Sequence, residues 1–253
     1  MLRMRQIALV AQDLDAIEVD FEVIFGLEVC YRDPGVEKYG LHNFLMPLGN
    51  SFIEVVAPFE AGTAGGRYLD RRGGDGGYMV ILQTGDIAAD RARVAELGIR
   101  LIFDRAGDHS DGVQLHPKDV PGSMLQLSWN EGDADPAGPW HPAGPDWLPA
   151  QRLDVVSTIT AAELQTEDPA ALAARWSAVL DHPVDNIEGG TPTIALDDAT
   201  IRFVPITDGR PEGLAALDVV AVDRTRILEA AEARGARGSD TRVTIGGVHF
   251  NLV

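Results

Sequence analysis

A single carboxylate inside an otherwise apolar strand is the first sign of chemistry in this chain. Glu54 lies in Phe52-Ile53-Glu54-Val55-Val56, where an unpaired charge would cost several kcal/mol unless a metal, a proton or a hydrogen-bond donor met it. It is therefore expected to act as a metal ligand, a general base or the partner of a buried donor. His116, in Val113-Gln114-Leu115-His116-Pro117, ends a strand, and its imidazole suits proton transfer or metal binding near neutral pH. The alternative for His116 is a hydrogen-bonded turn histidine. His42, in Gly40-Leu41-His42-Asn43, is placed on a strand beside Glu54. Gln6 stands in the first apolar strand and Gln126 in a later one. Arg67 and Arg71 form a basic cluster with Arg72 on a glycine-rich connection. They could clamp a carboxylate or phosphate of an anionic ligand, or serve only as surface ion pairs. His109, His141, His182 and His249 have no supporting constellation and are read as structural or surface residues.

Composition narrows the classes of function. A formal net charge of −18 opposes binding to nucleic-acid phosphates and anionic membranes. No run of about 20 apolar residues is present, so no membrane-spanning helix is expected. The first apolar stretch is cut short by Gln12 and Asp13, which argues against a secretory signal, and a cytoplasmic location is expected. Cys30 is the single cysteine, which excludes an intrachain disulfide framework and a thiolate cluster; a small core residue is its expected role. The glycines match no Walker or dinucleotide pattern, so no nucleotide cofactor is expected.

The elements that must position these residues recur along the chain. Four segments share an apolar strand, an acidic residue, an amphipathic helix, a small turn and a further strand. Asp13, Asp86, Asp168 and Asp223 stand where an N-cap accepts from unpaired backbone N–H groups. Pro169 follows Asp168 at the first helical position, and Gly26, Gly98 and Gly235 are natural helix stops. Leu172, Trp176, Val179 and Leu180 form one helical stripe. The Asp13–Gly26 spacing equals that of Asp168–Asp181, and Asp86–Gly98 equals Asp223–Gly235. Odd units match odd and even match even, as duplication of a two-unit domain would leave them. Strand-like stretches follow each helix: Val29–Tyr31, Leu41–Pro47 and Ser51–Val56 after the first, and Leu101–Phe103, Gly112–His116 and Ser123–Trp129 after the second. Between Gly132 and Pro149, five prolines preclude regular structure, and Trp140 and Trp147 are expected to pin this linker across a domain surface.

Gln6-Ile7-Ala8-Leu9-Val10-Ala11-Gln12-Asp13-Leu14, then Phe25-Gly26-Leu27-Glu28-Val29 and Phe52-Ile53-Glu54-Val55-Val56-Ala57-Pro58, resemble the glyoxalase and bleomycin-resistance proteins of the vicinal oxygen chelate superfamily. The stretch Arg67 to Met79 resembles a subgroup described only as glyoxalase-like. The resemblance implies an α+β fold of four βαβββ modules paired into cup-shaped mixed sheets with flanking helices. Its expected domains are residues 1–132, a linker 133–149, and a degenerate second domain 150–253. It further implies that four side chains converge on a divalent metal that stabilises an enolate. The matching positions are Gln6, Glu54, Met79 or Tyr78, and Gln126. If a metal is bound, Gln6, Glu54 and His116 are its expected ligands. Extradiol chemistry is not expected, because no set of two histidines and a carboxylate occurs in either half.

Two functions remain open on this reading. One is a lyase or isomerase in which Glu54 and His116 manage a proton next to a carbonyl, with His42, Arg67, Arg71 and Gln126 binding the substrate. The other is a metal-free protein that sequesters a small molecule. The cup is expected in the first half, with the second half chiefly structural, and a homodimer stays open.

Overall fold

The computed structural model describes residues 1–186 and 190–253. Each anticipated cap forms. Asp13 accepts from Ala16 N–H at 3.0 Å, starting α1 (Leu14–Phe25), and Asp86 accepts from Ala89 at 2.9 Å, starting α3 (Ile87–Glu96). Between them lies α2 (Ala64–Arg72), capped by Thr63. Asp168 and Asp223 likewise start α4 (Pro169–Leu180) and α5 (Arg224–Ala233), each accepting at 3.0 Å. Helix α2 is hidden in the sequence, because the glycines flanking and entering it read as a connection. Val29–Tyr31 does not become a strand. Only Tyr31 bridges Leu45, and Asp33-Pro34 then turns the chain into a short 3-10 helix over Pro34–Tyr39.

The modules are β1 (Leu2–Val10), α1, β2 (Leu41–Leu48), β3 (Ser51–Pro58); β4 (Gly76–Thr84), α3, β5 (Leu101–Arg105), β6 (Ser110–Leu115), β7 (Met124–Asn130); β8 (Val156–Thr166), α4, β9 (Asp185–Asn186), β10 (Pro192–Ala195), β11 (Thr200–Pro205); and β12 (Gly213–Ala221), α5, β13 (Arg237–Ser239), β14 (Arg242–Ile245), β15 (Val248–Leu252). Modules one and two form a seven-stranded sheet in the order β2-β3-β1-β4-β7-β6-β5. The last two modules form an eight-stranded sheet in the order β13-β14-β15-β12-β8-β11-β10-β9. In each sheet the modules meet through their first strands, antiparallel, while each first strand runs parallel to its module's last one. The fold is α+β, built from tandem βαβββ modules, the first of which has only a single bridge at Tyr31 in place of its second strand.

Alternation gives each sheet one face for a shared core. Phe21 and Phe25 of α1 meet Phe250 of β15 at 5.6 and 5.2 Å between rings, and Trp176 of α4 meets Phe203 of β11 at 6.0 Å. Trp176 also donates from Nε1 to the Pro121 carbonyl at 2.8 Å, tying the halves together. The glycine-rich stretch has a packing role here. A Cβ on Gly77 would lie 2.6 Å from both the side chain and the carbonyl of Leu214, so only glycine lets β4 and β12 approach this closely.

Helix α4 ends at Asp181, exposed and left-handed with φ 54°, where a side chain other than Asn or Asp would be strained. Asp181→Gly is expected to raise the unfolding free energy by about 0.5–1 kcal/mol in urea denaturation. A loss of stability would show that the Asp181 side chain contributes more than its backbone costs.

Candidate functional site

On the seven-stranded sheet, Ile7, Leu9, Ile53 and Val55 enter the shared core, so Gln6, Phe52, Glu54 and Val56 line the opposite, cup face. Parallel pairing sets Ala8 against Glu54 and Gln6 against Phe52, and antiparallel pairing sets Ala8 against Met79 and Gln6 against Ile81. Ile81 in turn faces Gln126. The positions matching the superfamily's ligand places thus share one face.

Glu54 is buried and accepts two amide hydrogen bonds: Gln6 Nε2–H to Oε2 at 2.7 Å, and Asn43 Nδ2–H to Oε1 at 2.7 Å. Asn43 is oriented through its Oδ1, which accepts from Asp33 N–H at 2.9 Å. Burial pushes the Glu54 carboxyl above its ordinary pKa, against the opposing pull of the Asn43 and Gln6 donors. Gln6 is oriented from its other end, where Trp140 Nε1–H donates to Oε1 at 2.6 Å. Each group in the line Trp140–Gln6–Glu54–Asn43 therefore fixes the next.

The linker does more than cross a surface. Trp140 and Trp147, both buried, join Leu45, Phe52 and Ile81 in a cluster that fills one end of the cup. Arg5 lies beneath them. Its guanidinium donates to the carbonyls of Asn50, Pro136 and Gly138, and sits 5.3, 5.6 and 5.7 Å from the rings of Phe52, Trp140 and Trp147. Desolvation lowers its pKa to about 10, which leaves it charged at neutral pH. The other end of the cup is closed by α2, whose Leu69 and Tyr68 pack with Val10, Val56 and Tyr78.

Trp140→Phe keeps an aromatic ring in place but removes the donor to Gln6, leaving Oε1 buried without a partner beside a small void. It is expected to cost about 1–3 kcal/mol in chemical denaturation. A cost below about 0.5 kcal/mol would mean that Gln6 finds another donor.

The other expected site residues fall elsewhere. His42 is exposed and stacks on Phe59 at 4.3 Å, because its neighbour Asn43 takes the cup-facing side of β2. His116 sits in the turn after β6, where Nδ1 accepts from Lys118 N–H at 3.2 Å and the backbone N–H bonds to Arg100. Three strands, β1, β4 and β7, separate β6 from β3, and none of the hydrogen bonds of His116 reaches Glu54. Arg67 and Arg71 are exposed on α2, and the buried member of their cluster is Arg72. Gln126 donates to Ser128 Oγ at 2.9 Å. Cys30 is half-buried, its thiol pushed up to about 11 by burial. Asn43 and Trp140 are the site residues that sequence reasoning passed over. Strand parity could have found Asn43, since Leu45 opposes Glu54 and Asn43 lies two residues away.

This donor set does not fit a divalent ion. The oxygen that Gln6 would offer is taken by Trp140, its nitrogen is turned to Glu54, and Met79, Ile81 and Gln126 supply no carboxylate or imidazole. Among the described residues no group of three or more His, Cys, Asp and Glu side chains could hold a metal. Gln6, Glu54 and His116 do not converge as a ligand set.

No helix is long and apolar enough to cross a membrane among the described residues. Comparison with known proteins agrees with the fold. The chain is 27% identical over 129 residues to the ethylmalonyl-CoA/methylmalonyl-CoA epimerase of Cereibacter sphaeroides, covering 49% of this chain and 96% of that protein. A hypothetical protein from Staphylococcus aureus superposes with a TM-score of 0.70 at 14% identity, over 100% of this chain and 99% of that one. A point variant of the Streptomyces coelicolor methylmalonyl-CoA epimerase in complex with 2-nitronate-propionyl-CoA gives 25% identity and a TM-score of 0.45 over 51% of this chain and 97% of its own. The model of the glyoxalase-like domain matches residues 7–180, a span that runs from β1 through the linker to the end of α4. By that match the chain belongs to the glyoxalase-like domain family, within the vicinal oxygen chelate superfamily.

Proposed function

We propose that this protein is an isomerase-type enzyme that moves a proton at a carbon next to a carbonyl, with Glu54 as the proton-transferring group. The observation that carries this reading is the Glu54 carboxyl, buried on the cup face between two amide donors and held above its ordinary pKa. A carboxyl tuned towards neutrality is the better base for a weak carbon acid at cellular pH. In the step itself, the Glu54 carboxylate takes the proton and the C–H electron pair moves into the enolate. The same carboxyl then returns the proton to the opposite face of that carbon after the enolate has turned in the cup, so the centre is inverted. Gln6 and Asn43 act as positioning residues, holding the two carboxyl oxygens in place. Substrate would enter by lifting the Trp140 indole from Gln6, which frees the polar end of the cup.

A second reading, sequestration of a ligand without chemistry, is favoured by the filling of the cup with Trp140 and by the satisfaction of both Glu54 oxygens inside the protein. One experiment separates the two. The protein is incubated in D2O with methylmalonyl-CoA, the substrate class named for the epimerase relative. Deuterium at the 2-position is followed by mass spectrometry and tryptophan emission by fluorescence. Exchange together with a shift in emission is expected. An emission shift with no exchange would leave the sequestering reading standing, and neither change with this or other 2-branched acyl thioesters would remove both.

A further inference from the structure

From sequence, the second half is expected to be chiefly structural. The structure differs. In the eight-stranded sheet, Ala162, Leu164, Ile201, Phe203, Leu217, Val219, Phe250 and Leu252 enter the shared core. Their alternating neighbours Glu163, Arg202, Asp218, His249 and Asn251 lie together on the opposite face, all half-buried. The corresponding residues of the first half, such as Gln6, Ala8 and Glu54, are buried under the linker and α2. Register relates the two cups. Glu163 pairs with Arg202 as Ala8 pairs with Glu54, and Asp218 pairs with Asn251 as Ile81 pairs with Gln126. This open cup therefore carries its polar groups at the places where the first half carries its closed site.

Most of these groups hold one another. Arg202 forks onto Asp218 at 2.6 and 2.7 Å and reaches Glu163 Oε2 at 3.2 Å. Asn251 donates to Asp218 at 2.9 Å and accepts from Arg242 Nε at 2.9 Å. Two atoms have no partner among the described residues: Glu163 Oε1 and His249 Nε2, since His249 engages only Thr244 Oγ1, through Nδ1 at 2.9 Å. Ala216 pairs with Glu163 on one side and with His249 on the other. The two residues thus flank Ala216, their backbones about 10 Å apart across two strand spacings. Burial and the nearby Arg242 lower the His249 pKa and favour the neutral ring.

We propose that Glu163 and His249, facing each other across Ala216 on the C-terminal sheet, form a second small-molecule site that takes an uncharged ligand with a hydroxyl or amide N–H donor. The donor meets Glu163 Oε1, and the body of the ligand reaches towards His249, whose ring reports its arrival. An anion is disfavoured at the Glu163 end, where the carboxylates of Glu163 and Asp218 face Arg202, whose donors are already engaged, while Arg242 and Arg210 lie nearer His249. The site is independent of Glu54, so the two proposals fail separately.

The test is a titration of full-length protein carrying 13C-labelled histidine rings, with phenol and benzamide as neutral probes and benzoate as the anionic counterpart. The His249 signal is identified by its loss in His249→Asn. A saturable shift of His249 alone among the 6 histidines is expected with phenol or benzamide. Binding about five- to tenfold weaker is expected for benzoate, and likewise for the neutral probes in Glu163→Gln. Thermal melts of both variants check folding. If neither neutral probe gives a saturable His249 shift, if benzoate binds as tightly, or if folded Glu163→Gln binds unchanged, the proposal is overturned.

Discussion

Arg5→Ala is expected to lower the unfolding free energy by about 3–5 kcal/mol, the largest stability loss of any single side chain around the first cup. The magnitude follows from what Arg5 holds. It is buried, no carboxylate among the described residues lies within ion-pairing distance, and its charge is met by the carbonyls of Asn50, Pro136 and Gly138 and by three aromatic faces. Two of those carbonyls belong to the linker, and Asn50 belongs to the turn between β2 and β3. Removing the guanidinium strands their acceptors under the tryptophans and opens a void beneath Trp140 and Trp147. Hydrogen bonds to a charged group are worth about 1.5–3 kcal/mol each, and truncation of a large buried side chain adds a cavity cost. Arg5→Lys should recover only part of the loss, because a compact ammonium on a shorter stem replaces a planar group that meets the three carbonyls from two separate nitrogens and faces three rings. Urea denaturation followed by tryptophan emission measures both variants. A loss under about 1 kcal/mol for Arg5→Ala would mean that the linker is held by its tryptophans alone.

The repeat was legible because it is written in local chemistry. An acidic cap, a helix of fixed length and a small residue at the stop recur at matched spacings, and each device acts within a few residues. Glu54 and Gln6 were legible for a related reason, since polar side chains stand out against the period of a strand. What stayed hidden depends on contacts distant in sequence. His42 drew attention by its chemistry, yet β2 aims it outward and turns Asn43 in, a choice fixed only by the pairing of Leu45 with Glu54. His116 looked suited to a proton, but the sheet order places it beyond three intervening strands. Trp140 reaches Gln6 across 134 residues, and no pattern within the proline-rich linker states where its indole will go. The polar face of the second sheet was missed differently. Glu163 and Asp218 lie in separate strands and His249 and Asn251 alternate along a third, each ordinary on its own, and only register collects them.

Glu54→Gln is expected to reduce deuterium exchange at the substrate carbon by about a hundred- to ten-thousandfold, the usual contribution of a positioned general base. The amide keeps the shape and one of the two hydrogen bonds but cannot take up a proton; its NH2 faces the NH2 of Gln6 or Asn43, a cost that does not vary with pH, and tryptophan emission of the free protein checks that the cup is intact. Stability supplies an independent check with a definite sign. A carboxyl whose pKa is raised by folding binds its proton more tightly in the folded state. Below the unfolded value of about 4.3 both states are protonated, and the contribution is fully present. As pH rises through the window between that value and the raised folded one, the unfolded state releases the proton first. Unfolding free energy then falls, by up to about 1.4 kcal/mol per pH unit. The amide introduced by Glu54→Gln does not titrate, so the variant lacks this slope. The stability of Glu54→Gln relative to the parent should therefore climb from about pH 4 upward and level off once Glu54 is ionised in the folded protein. Urea titrations at about pH 4.5 and about pH 7.5 measure the difference. If the relative stability falls with pH, Glu54 is a carboxylate stabilised by its amides, and the raised pKa on which the proton-transfer reading depends is lost. If it climbs while exchange is undiminished, the carboxyl is buried and perturbed as described, and the base lies elsewhere.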